Sequence, residues 1–424
     1  MKRAKTITVH HLTRVEGHGN IHIKISNGKL MEAKWAVVET PRFFEAMLKG
    51  MSHDLAPMLT SRICGICSIG HALASLRAVE RAMNIKISPA AEHLRLLSKH
   101  GETLQSHVLH VFFLGAPDFF KVGSVLPLIK THPEIVGIAL RLKKLGNDMC
   151  DLIAGRTTHP VSLVVGGLAK APTKNQLCAL KKNIQERMPD MLKALEVFKP
   201  LAMPDFERET EFVSLEGIKK YPWIGGSLIS SDGVRKPESA YLAMTNEYKV
   251  DFSTSKFTKL SRSSFAAGAL ARINNNFRCL HKKAQEAASS LKLRPVNHNP
   301  FMNHIAQLVE CYHVMLESVA IINTLLNTEY KDVYRKYKVK AGEGVGAVEV
   351  PRGLLYHHYK IDSKGRIIKA NCIIPTTQNH ANIHFDLHKL ADQMVRLGKT
   401  DKEITLLSEM LVRAYDPCIS CSVH

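Results

Sequence analysis

Two Cys-x-x-Cys pairs stand near opposite ends of this 424-residue chain, Cys64 with Cys67 and Cys418 with Cys421. With two residues between them, both thiolates of a pair can point at one ion. Four soft thiolates suit zinc, an iron–sulfur cluster, or nickel and iron. If all four hold one centre, segments about 350 residues apart in sequence must meet inside the fold.

The spacing leaves the kind of centre open. Structural zinc sites usually place their two pairs roughly 15–20 residues apart, and the cysteines of iron–sulfur clusters also tend to group along the chain. A chain of this length can fold without a metal staple, which favours a catalytic bimetallic site without excluding zinc or a cluster. The other cysteines stand alone in apolar or helical surroundings, as inert thiols do: Cys150, Cys178, Cys279, Cys311 and Cys372.

Hydrophobic periodicity predicts an α+β fold, mainly α with peripheral β. Alternating residues and Asn27-Gly28 predict a hairpin within 6–38, residues 205–262 are mixed, and 339–375 predict strands and turns. Helical patterns cover about 42–52, 68–83, 89–114, 134–155, 174–197, 264–292, 301–328 and 379–414. We expect one domain over 1–424, with an N-terminal β region (1–38), a mainly helical body (39–338), and a β segment with a C-terminal helix and metal-binding tail (339–424).

The net charge of +20 is compatible with an acidic partner, a nucleic acid or an anionic membrane. The basic residues are scattered along helical stretches such as Arg141 to Lys144, which is typical of solvated helix faces, so no nucleic acid partner is expected. No apolar run reaches about 18 residues, so no transmembrane segment is expected. The N-terminus lacks the pattern of a secretory signal, which favours a cytoplasmic location.

Six motifs, in order along the chain, resemble the large subunit of the [NiFe] hydrogenases over essentially the whole length. They are Arg14-Val-Glu16-Gly-His18, Pro41-Arg-Phe-Phe-Glu45, Arg62-Ile-Cys64-Gly-Ile-Cys67-Ser-Ile-Gly-His71, Pro351-Arg352-Gly353, Ile373-Ile-Pro375-Thr376-Thr377 and Asp416-Pro-Cys418-Ile-Ser-Cys421-Ser-Val-His424. Within that family, Asn299-Pro-Phe301 and the segment from Arg413 to His424 are most similar to the cytoplasmic bidirectional, NAD(P)-linked and sulfhydrogenase-type alpha subunits.

The resemblance implies a ligand set for the metals. Cys64 and Cys418 would be terminal nickel ligands, and Cys67 and Cys421 would bridge nickel and iron. The iron would carry one carbon monoxide and two cyanides. The resemblance also implies a central bundle of long helices, with the metal site between the N- and C-terminal segments. The pocket for the diatomic ligands would be lined by Pro351, Arg352, Pro375 and Thr376.

The implied reaction is reversible heterolytic cleavage of H₂ into two protons and two electrons, with the metals as Lewis acid. We rank the Cys418 thiolate before Arg352 as the base, because a guanidinium normally stays protonated. Glu16 is the expected next proton carrier, since a carboxylic acid suits a relay. The structural alternative for Glu16 is an ion pair with Arg14 or His18.

A second metal ion is implied beside the first centre. His424 would ligate Mg²⁺ or Fe²⁺ together with Glu45 and a backbone carbonyl near Cys372, and in the family a C-terminal extension is removed just after this histidine. His71, four residues after Cys67, could donate a hydrogen bond to a cysteine sulfur.

One position departs from the family pattern. Many members carry an Asp-His pair on the long helix, and the matching residues here are Ser106-His107. One outer carboxylate is therefore missing, although Asp416 is present, and we expect altered hydrogen bonding around Arg352. His93, His100 and His107 recur every seven residues and are interpreted as packing or surface residues.

No other cysteine grouping could hold an iron–sulfur chain, so electrons would have to leave through a separate small subunit that carries clusters, followed by flavin or NAD(P) subunits. No Gly-x-Gly-x-x-Gly turn places a nucleotide on this chain. Two alternatives remain. One is a non-catalytic relative similar to the quinone-site subunit of respiratory complex I, which lacks the four cysteines. The other is a zinc-stabilised binding protein that uses its charge on nucleic acid.

Overall fold

A computed structural model describes residues 5–328, 330 and 332–424. The fold is α+β, as predicted. The helices are α1 Phe44–Leu48, α2 Ala56–Thr60, α3 Ser68–Ala82, α4 Pro89–Val108, α5 Ala116–Phe119, α6 Leu126–Thr131, α7 Pro133–Ala154, α8 Lys174–Glu186, α9 Met188–Phe198, α10 Leu242–Thr245, α11 Ala269–Asn276, α12 Lys282–Ser290, α13 Asn303–Leu326, α14 Pro375–Arg396 and α15 Asp401–Ala414. The strands are β1 Lys5–Val9, β2 Gly19–Ser26, β3 Lys29–Val37, β4 Leu163–Val164, β5 Gly167–Leu168, β6 Glu211–Leu215, β7 Ser227–Ser230, β8 Arg235–Pro237, β9 Phe265–Ala266, β10 Gly342–Val350, β11 Gly353–Ile361 and β12 Ile367–Ile373.

The long helix α4 packs against two further long helices, α7 and α13. Helix α4 begins at Pro89, where the Ser88 side chain accepts a hydrogen bond from the Ala91 N–H, and its second half is fully buried. Helices α4 and α7 approach closely, because a Cβ added to Gly101 would lie 2.9 Å from the Gly146 carbonyl oxygen. The predicted helix to residue 114 changes after Val108 into a π-helical segment, Leu109–Gly115.

Helix α13 is apolar on almost every side. The segment Pro300–Leu326 is long and apolar enough to cross a membrane, but 78% of the most apolar window is buried inside the protein. Burial of that kind is what a core helix shows. The cytoplasmic location stays a prediction.

The N-terminal sheet, with order β1-β2-β3, confirms the predicted hairpin. Asn27 and Gly28 have φ values of 50° and 73°, the left-handed pair that a tight hairpin turn requires. Ile21, Ile23 and Ile25 alternate along β2 and are buried, which seats one face of the sheet on the core.

The sheet β10-β11-β12 is not peripheral, which corrects our expectation for this segment. Strand β11 is buried continuously from Gly353 to Tyr359. Helix α3 covers one face, and apolar side chains of β6, β7 and β9 cover the other. A strand that is buried on both faces loses its alternating pattern, so local periodicity does not reveal that this sheet lies inside the protein.

Three predicted helices are each divided in two. The stretch 174–197 contains α8 and α9, which are separated at Arg187. The stretch 264–292 contains α11 and α12, separated by a 3-10 turn at Phe277–Cys279. The stretch 379–414 contains α14 and α15, and α14 begins four residues earlier than predicted. The break between α14 and α15 occurs where Gly398 has a φ of 67° and Thr400 forms a capping box with Glu403.

Candidate metal centre

The two cysteine pairs lie in short buried loops attached to helices. Cys64 is extended and follows a 3-10 turn, and Cys67 precedes the first residue of α3. The second pair lies in what we call the C-terminal loop, residues 416–424, which follows α15. This loop opens at Asp416 with a φ of 49° and closes in a 3-10 turn, Ser420–Val423.

The loops bring cysteine sulfurs from both ends of the chain together. The sulfurs of Cys64, Cys418 and Cys421 all lie within 4.8 Å of one another, and the Cys64 and Cys418 sulfurs are 3.6 Å apart. Cys67 is outside this group of three but adjacent to it, since its backbone N–H donates to the Cys64 sulfur at 3.2 Å. The Cys418 and Cys421 sulfurs are also in direct contact with each other, so this pair can present both sulfurs to one ion.

Hydrogen bonding differentiates the first two thiols. The hydrogen bond between their side chains lowers the pKa of Cys64 and, together with burial, raises the pKa of Cys67 well above its usual value. The Arg352 guanidinium also favours the thiolate of Cys64. A buried, soft donor set beside a cation therefore fits a thiophilic metal.

Polar contacts fix the two loops to each other. The Arg42 guanidinium donates to the carbonyls of Ile63 and Ser420, each at 2.7 Å, and so joins the loop before Cys64 to the C-terminal loop. The Thr376 hydroxyl accepts the Cys418 N–H at 3.1 Å. Our sequence reasoning missed Arg42, although it lies in the Pro41–Glu45 motif, which could have pointed to it.

Arg352 lies in the tight connection between β10 and β11, directly after Pro351. Its Nε donates to the Asp416 carbonyl at 2.6 Å and its Nη2 to the Asp416 carboxylate at 2.9 Å. Its Nη1 is buried and has no hydrogen-bond partner among the described residues. Burial by itself would lower the pKa of Arg352. The negative charges of Asp416 and the cysteine thiolates outweigh burial and raise this pKa above its usual value, so the guanidinium stays protonated.

Glu16 lies against the C-terminal loop and forms no ion pair within the described part of the chain. Ser420 donates to its carboxylate from both the backbone N–H, at 3.2 Å, and the hydroxyl. The Ile419 N–H donates to the Glu16 carbonyl at 2.9 Å. Glu16 therefore does not form the alternative ion pair with Arg14 or His18. Arg14 instead pairs with Asp118 at 2.5 Å, and His18 hydrogen-bonds to Glu39 at 2.7 Å.

The three groups predicted for a second metal also converge. The His424 Nε2 lies 2.6 Å from the Cys372 carbonyl oxygen and 3.7 Å from the Glu45 carboxylate. The Cys372 N–H donates to the same carboxylate at 2.7 Å. A carboxylate, a carbonyl and an imidazole at one point form a donor set that fits Mg²⁺ or Fe²⁺.

The prediction that His71 donates a hydrogen bond to a cysteine sulfur is wrong, because neither ring nitrogen makes that contact among the described residues. The His71 Nδ1 is hydrogen-bonded to the His357 Nε2 at 3.2 Å, and its Nε2 has no partner among the described residues. Burial lowers the pKa of His71 well below its usual value, so the ring is neutral.

Pro375 is the first residue of α14, which places Thr376 one residue into that helix.

The Ser106-His107 pair is fully buried. The Ser106 hydroxyl has no hydrogen-bond partner in the described residues, and the His107 Nε2 donates to Glu310 at 2.8 Å. His100 is buried and hydrogen-bonds to Ser318 at 2.9 Å, whereas His93 is half-buried, so this histidine stripe packs within the fold.

Comparison with known protein families agrees with this geometry. A family described as nickel-dependent hydrogenase matches residues 42–134 and 226–424. A second family, described as HoxL-like, matches residues 6–40. Together these matches include all four of the paired cysteines, Glu16 and Arg352.

Individual relatives cover nearly the whole chain. Sulfhydrogenase 1 subunit alpha of Pyrococcus furiosus is 32% identical over 421 residues, covering 99% of this chain and 97% of the relative. The NAD-reducing hydrogenase HoxS subunit beta of Cupriavidus necator is 26% identical, covering 99% and 95%. A crystal structure of an NAD⁺-reducing [NiFe]-hydrogenase in the H₂-reduced state matches with a TM-score of 0.90 and 26% identity over 99% of each chain.

Proposed function

This chain belongs to the nickel-dependent hydrogenase family, and from that membership we propose that it is a catalytic large subunit that interconverts H₂ with protons and electrons at a nickel–iron centre. The observation that carries the proposal is the convergence of cysteine sulfurs from residues 64–67 and 418–421 beside Arg352 and Glu16. A structural zinc site would explain the sulfurs, but it would leave the adjoining cation and the free carboxylate without a role.

The cysteines would hold the metals in the arrangement inferred from the family. Cys64 and Cys418 would bind nickel, and Cys67 and Cys421 would bridge to iron. When bound, the two metals supply the Lewis acidity that polarises H₂ and the redox capacity for two electrons. The buried Nη1 of Arg352, which has no partner among the residues that the structure covers, is a donor suited to a small anionic ligand such as cyanide, and the Thr376 hydroxyl offers a second donor nearby.

Protons would move through side chains of this chain. The Cys418 sulfur would serve as the proton acceptor, because Arg352 stays protonated and supplies positive charge instead. Glu16 would be the next carrier, since its backbone pairs with Cys418 in a parallel bridge and no residue that the structure describes forms an ion pair with its carboxylate. Ser420, which donates to that carboxylate through its hydroxyl, holds it against the C-terminal loop.

A second ion, Mg²⁺ or Fe²⁺, would be held by Glu45, the Cys372 carbonyl and His424. Those groups connect the end of the C-terminal loop to α1 and β12, so the ion would fix the position of Cys421. We also propose that the chain forms one domain, because its N-terminal and C-terminal segments share this centre.

Electrons would leave through a separate small subunit with iron–sulfur clusters. Within the described residues, the only group of three or more clustered ligands is the one at the proposed centre. The relatives are named as subunits of sulfhydrogenase and NAD-reducing hydrogenase complexes, which supports flavin or NAD(P) subunits further along the electron path.

An infrared spectrum of the purified complex tests the proposal. Carbon monoxide and cyanide bound to a metal absorb in a window where protein groups do not. We expect one carbon monoxide band and two cyanide bands that shift under H₂. An empty window in a preparation that contains both nickel and iron would overturn the catalytic assignment, and zinc as the only metal would favour the zinc-stabilised alternative.

A further inference from the structure

A fully buried arginine lies directly behind Arg352. All five N–H groups of Arg272 are used: Nε and Nη2 donate to the Glu310 carboxylate at 2.6 and 2.7 Å, and Nη1 donates to Glu349 at 3.0 Å. The two remaining N–H groups donate to the backbone carbonyls of Val350 at 2.9 Å and Pro351 at 3.2 Å. Those carbonyls belong to the two residues that immediately precede Arg352.

The carboxylates around Arg272 are themselves held in place. Glu310, on α13, also accepts from the His107 ring at 2.8 Å and from the Tyr221 hydroxyl at 2.6 Å. Glu349, in β10, accepts the Leu215 N–H at 2.8 Å. We call Arg272, Glu310, Glu349, His107 and Tyr221 the Arg272 cluster. It joins α4, α11, α13 and β10 at one point.

Charge burial on this scale is a poor way to gain stability. Taking an arginine and two glutamates out of water costs several kcal/mol per ion, and well-packed apolar residues often do as well. Such a cluster is better explained by what it orients. Its outward contacts reach the backbone just before Arg352, whose own side chain is anchored on the other side by Asp416.

We propose that Arg272 is a positioning residue for Arg352. By fixing the Val350 and Pro351 carbonyls, it sets the direction in which Arg352 leaves the backbone. Asn379 completes the frame by donating to the Arg352 carbonyl at 3.2 Å. The result is that Arg352 meets Asp416 with two of its nitrogens and keeps Nη1 without a partner in the described part of the chain. This inference rests on the proposed function for its catalytic consequence, but not for its structural one.

The substitution Arg272→Lys tests the geometry, because lysine keeps the charge and loses the planar five-donor fork. Arg95→Lys is a matched control. Arg95 is buried, binds the Glu80 carboxylate with two nitrogens at 2.7 and 2.8 Å, and donates to the carbonyls of Val164 and Gly167. Arg95 lies on α4, and the two carbonyls that it binds belong to the β4-β5 hairpin and not to the segment that precedes Arg352.

Three readouts on the purified complex distinguish positioning from folding. Crystal structures of both variants report the Arg352–Asp416 distances, infrared spectra report the environment of any diatomic ligands, and steady-state kinetics separate kcat from KM. For Arg272→Lys we expect broken Arg352–Asp416 hydrogen bonds, shifted cyanide bands, and a kcat lower by roughly 10- to 100-fold, with an unchanged KM for the electron acceptor. Arg95→Lys should keep the wild-type geometry and bands and stay within about twofold of wild-type kcat.

Unchanged Arg352 geometry in Arg272→Lys would overturn the inference, as would equal losses in both variants. If Arg272→Lys does not accumulate as a folded complex, Glu310→Gln takes its place, since it keeps the shape and removes the charge that holds Arg272. Wild-type behaviour of that variant would equally overturn the inference. A wild-type complex with an empty infrared window would overturn the proposed function alone, because the crystallographic comparison does not depend on the metals.

Discussion

Among the described residues, the Glu16 carboxylate is hydrogen-bonded only to Ser420, through one backbone N–H and one hydroxyl. A carboxylate without an ion pair can take up and release a proton without losing a charged partner. Glu211 offers a close structural parallel elsewhere, since it accepts a hydrogen bond from the Ser230 hydroxyl and from the N–H groups of Ser261 and Arg262.

Glu16→Gln should lower the rate of H₂ oxidation by roughly 100-fold or more, because an amide keeps the shape but cannot relay a proton. Nickel content and the diatomic infrared bands should stay as in the wild type. The rate is measured with an artificial electron acceptor, and Glu211→Gln is the control for the loss of a similarly bonded carboxylate. Equal rates for Glu16→Gln and the wild type would remove Glu16 from the proton path.

Removing one ligand of the proposed centre should release the metals. Cys64→Ala is expected to lower the nickel content per chain by more than about tenfold, since even outer contacts of metal sites change affinity by 10–100-fold. Cys311→Ala deletes an equally buried thiol on α13 and should retain nickel. Elemental analysis of the purified complexes checks this. Full nickel retention in Cys64→Ala would contradict the proposed ligand set.

The sequence pointed to the four cysteines, Glu16, Arg352 and the residues of the proposed second metal site because each lies in a short motif. The Arg272 cluster could not be found in that way. Arg272 and Glu310 stand in ordinary helical stretches, and their charges give no signal of complete burial. Only the three-dimensional contacts show that they meet behind Pro351.

At the scale of elements, β10 and α3 pack unusually closely. The alternate residues Gly342, Gly344 and Gly346 face the helix, and a Cβ on Gly344 would lie 2.3 Å from the Ala78 carbonyl oxygen and 2.4 Å from the Ala82 nitrogen. These are backbone atoms that cannot rotate away. The contact seats the sheet that carries Arg352 on the helix that begins after Cys67.

Gly344→Ala should therefore lower the free energy of unfolding by about 1–3 kcal/mol or more, as overpacking of a core does. Gly123→Ala is the matched control, because no atom lies within 4 Å of a Cβ at that exposed position, and a change within about 0.5 kcal/mol is expected. Thermal unfolding of both variants under identical conditions measures the difference. A Gly344→Ala variant as stable as Gly123→Ala would show that the helix and strand can separate without cost.

Element boundaries were predictable where local chemistry marks them. The Asn27-Gly28 hairpin and the start of α4 at Pro89 are examples. The break before α15 was also marked, by Gly398 and Thr400, but the prediction of one helix over 379–414 overlooked both signals. The burial of β10-β11-β12 depends on layers contributed by distant segments, which a local pattern cannot show.

Across the whole molecule, burial keeps several histidines neutral. Burial lowers the pKa of His100 and His304 well below the usual value, and it lowers the pKa of His313 to about 4. In the unfolded chain such groups titrate near pH 6.5. Between about pH 6.5 and 4.5 the unfolded state therefore binds protons that the folded state does not. The free energy of unfolding should fall as the pH falls through this window, at up to about 1.4 kcal/mol per pH unit for each histidine.

Two buried carboxylates act in the opposite direction. Burial raises the pKa of Asp386 and Glu349, so acidification protonates them earlier in the folded state and opposes the loss. Glu310 adds to the loss of stability at lower pH. Burial by itself would raise its pKa, but the charge of Arg272 outweighs burial and lowers this pKa below its usual value. The histidine contribution is therefore best isolated by comparing variants and not by the wild-type profile alone.

His100→Gln should reduce the slope of the free energy of unfolding against pH between 6.5 and 4.5 by the amount that about one bound proton contributes. Glutamine can still hydrogen-bond to Ser318 but cannot titrate. His10→Gln, at an exposed position, should leave the slope unchanged. Urea unfolding at several pH values measures both slopes, and any acid-induced loss of metal is common to the variants and cancels in the comparison. If His100→Gln keeps the wild-type slope, then His100 takes up its proton equally in the folded and unfolded states, and buried neutral histidines are not what makes this fold sensitive to acid.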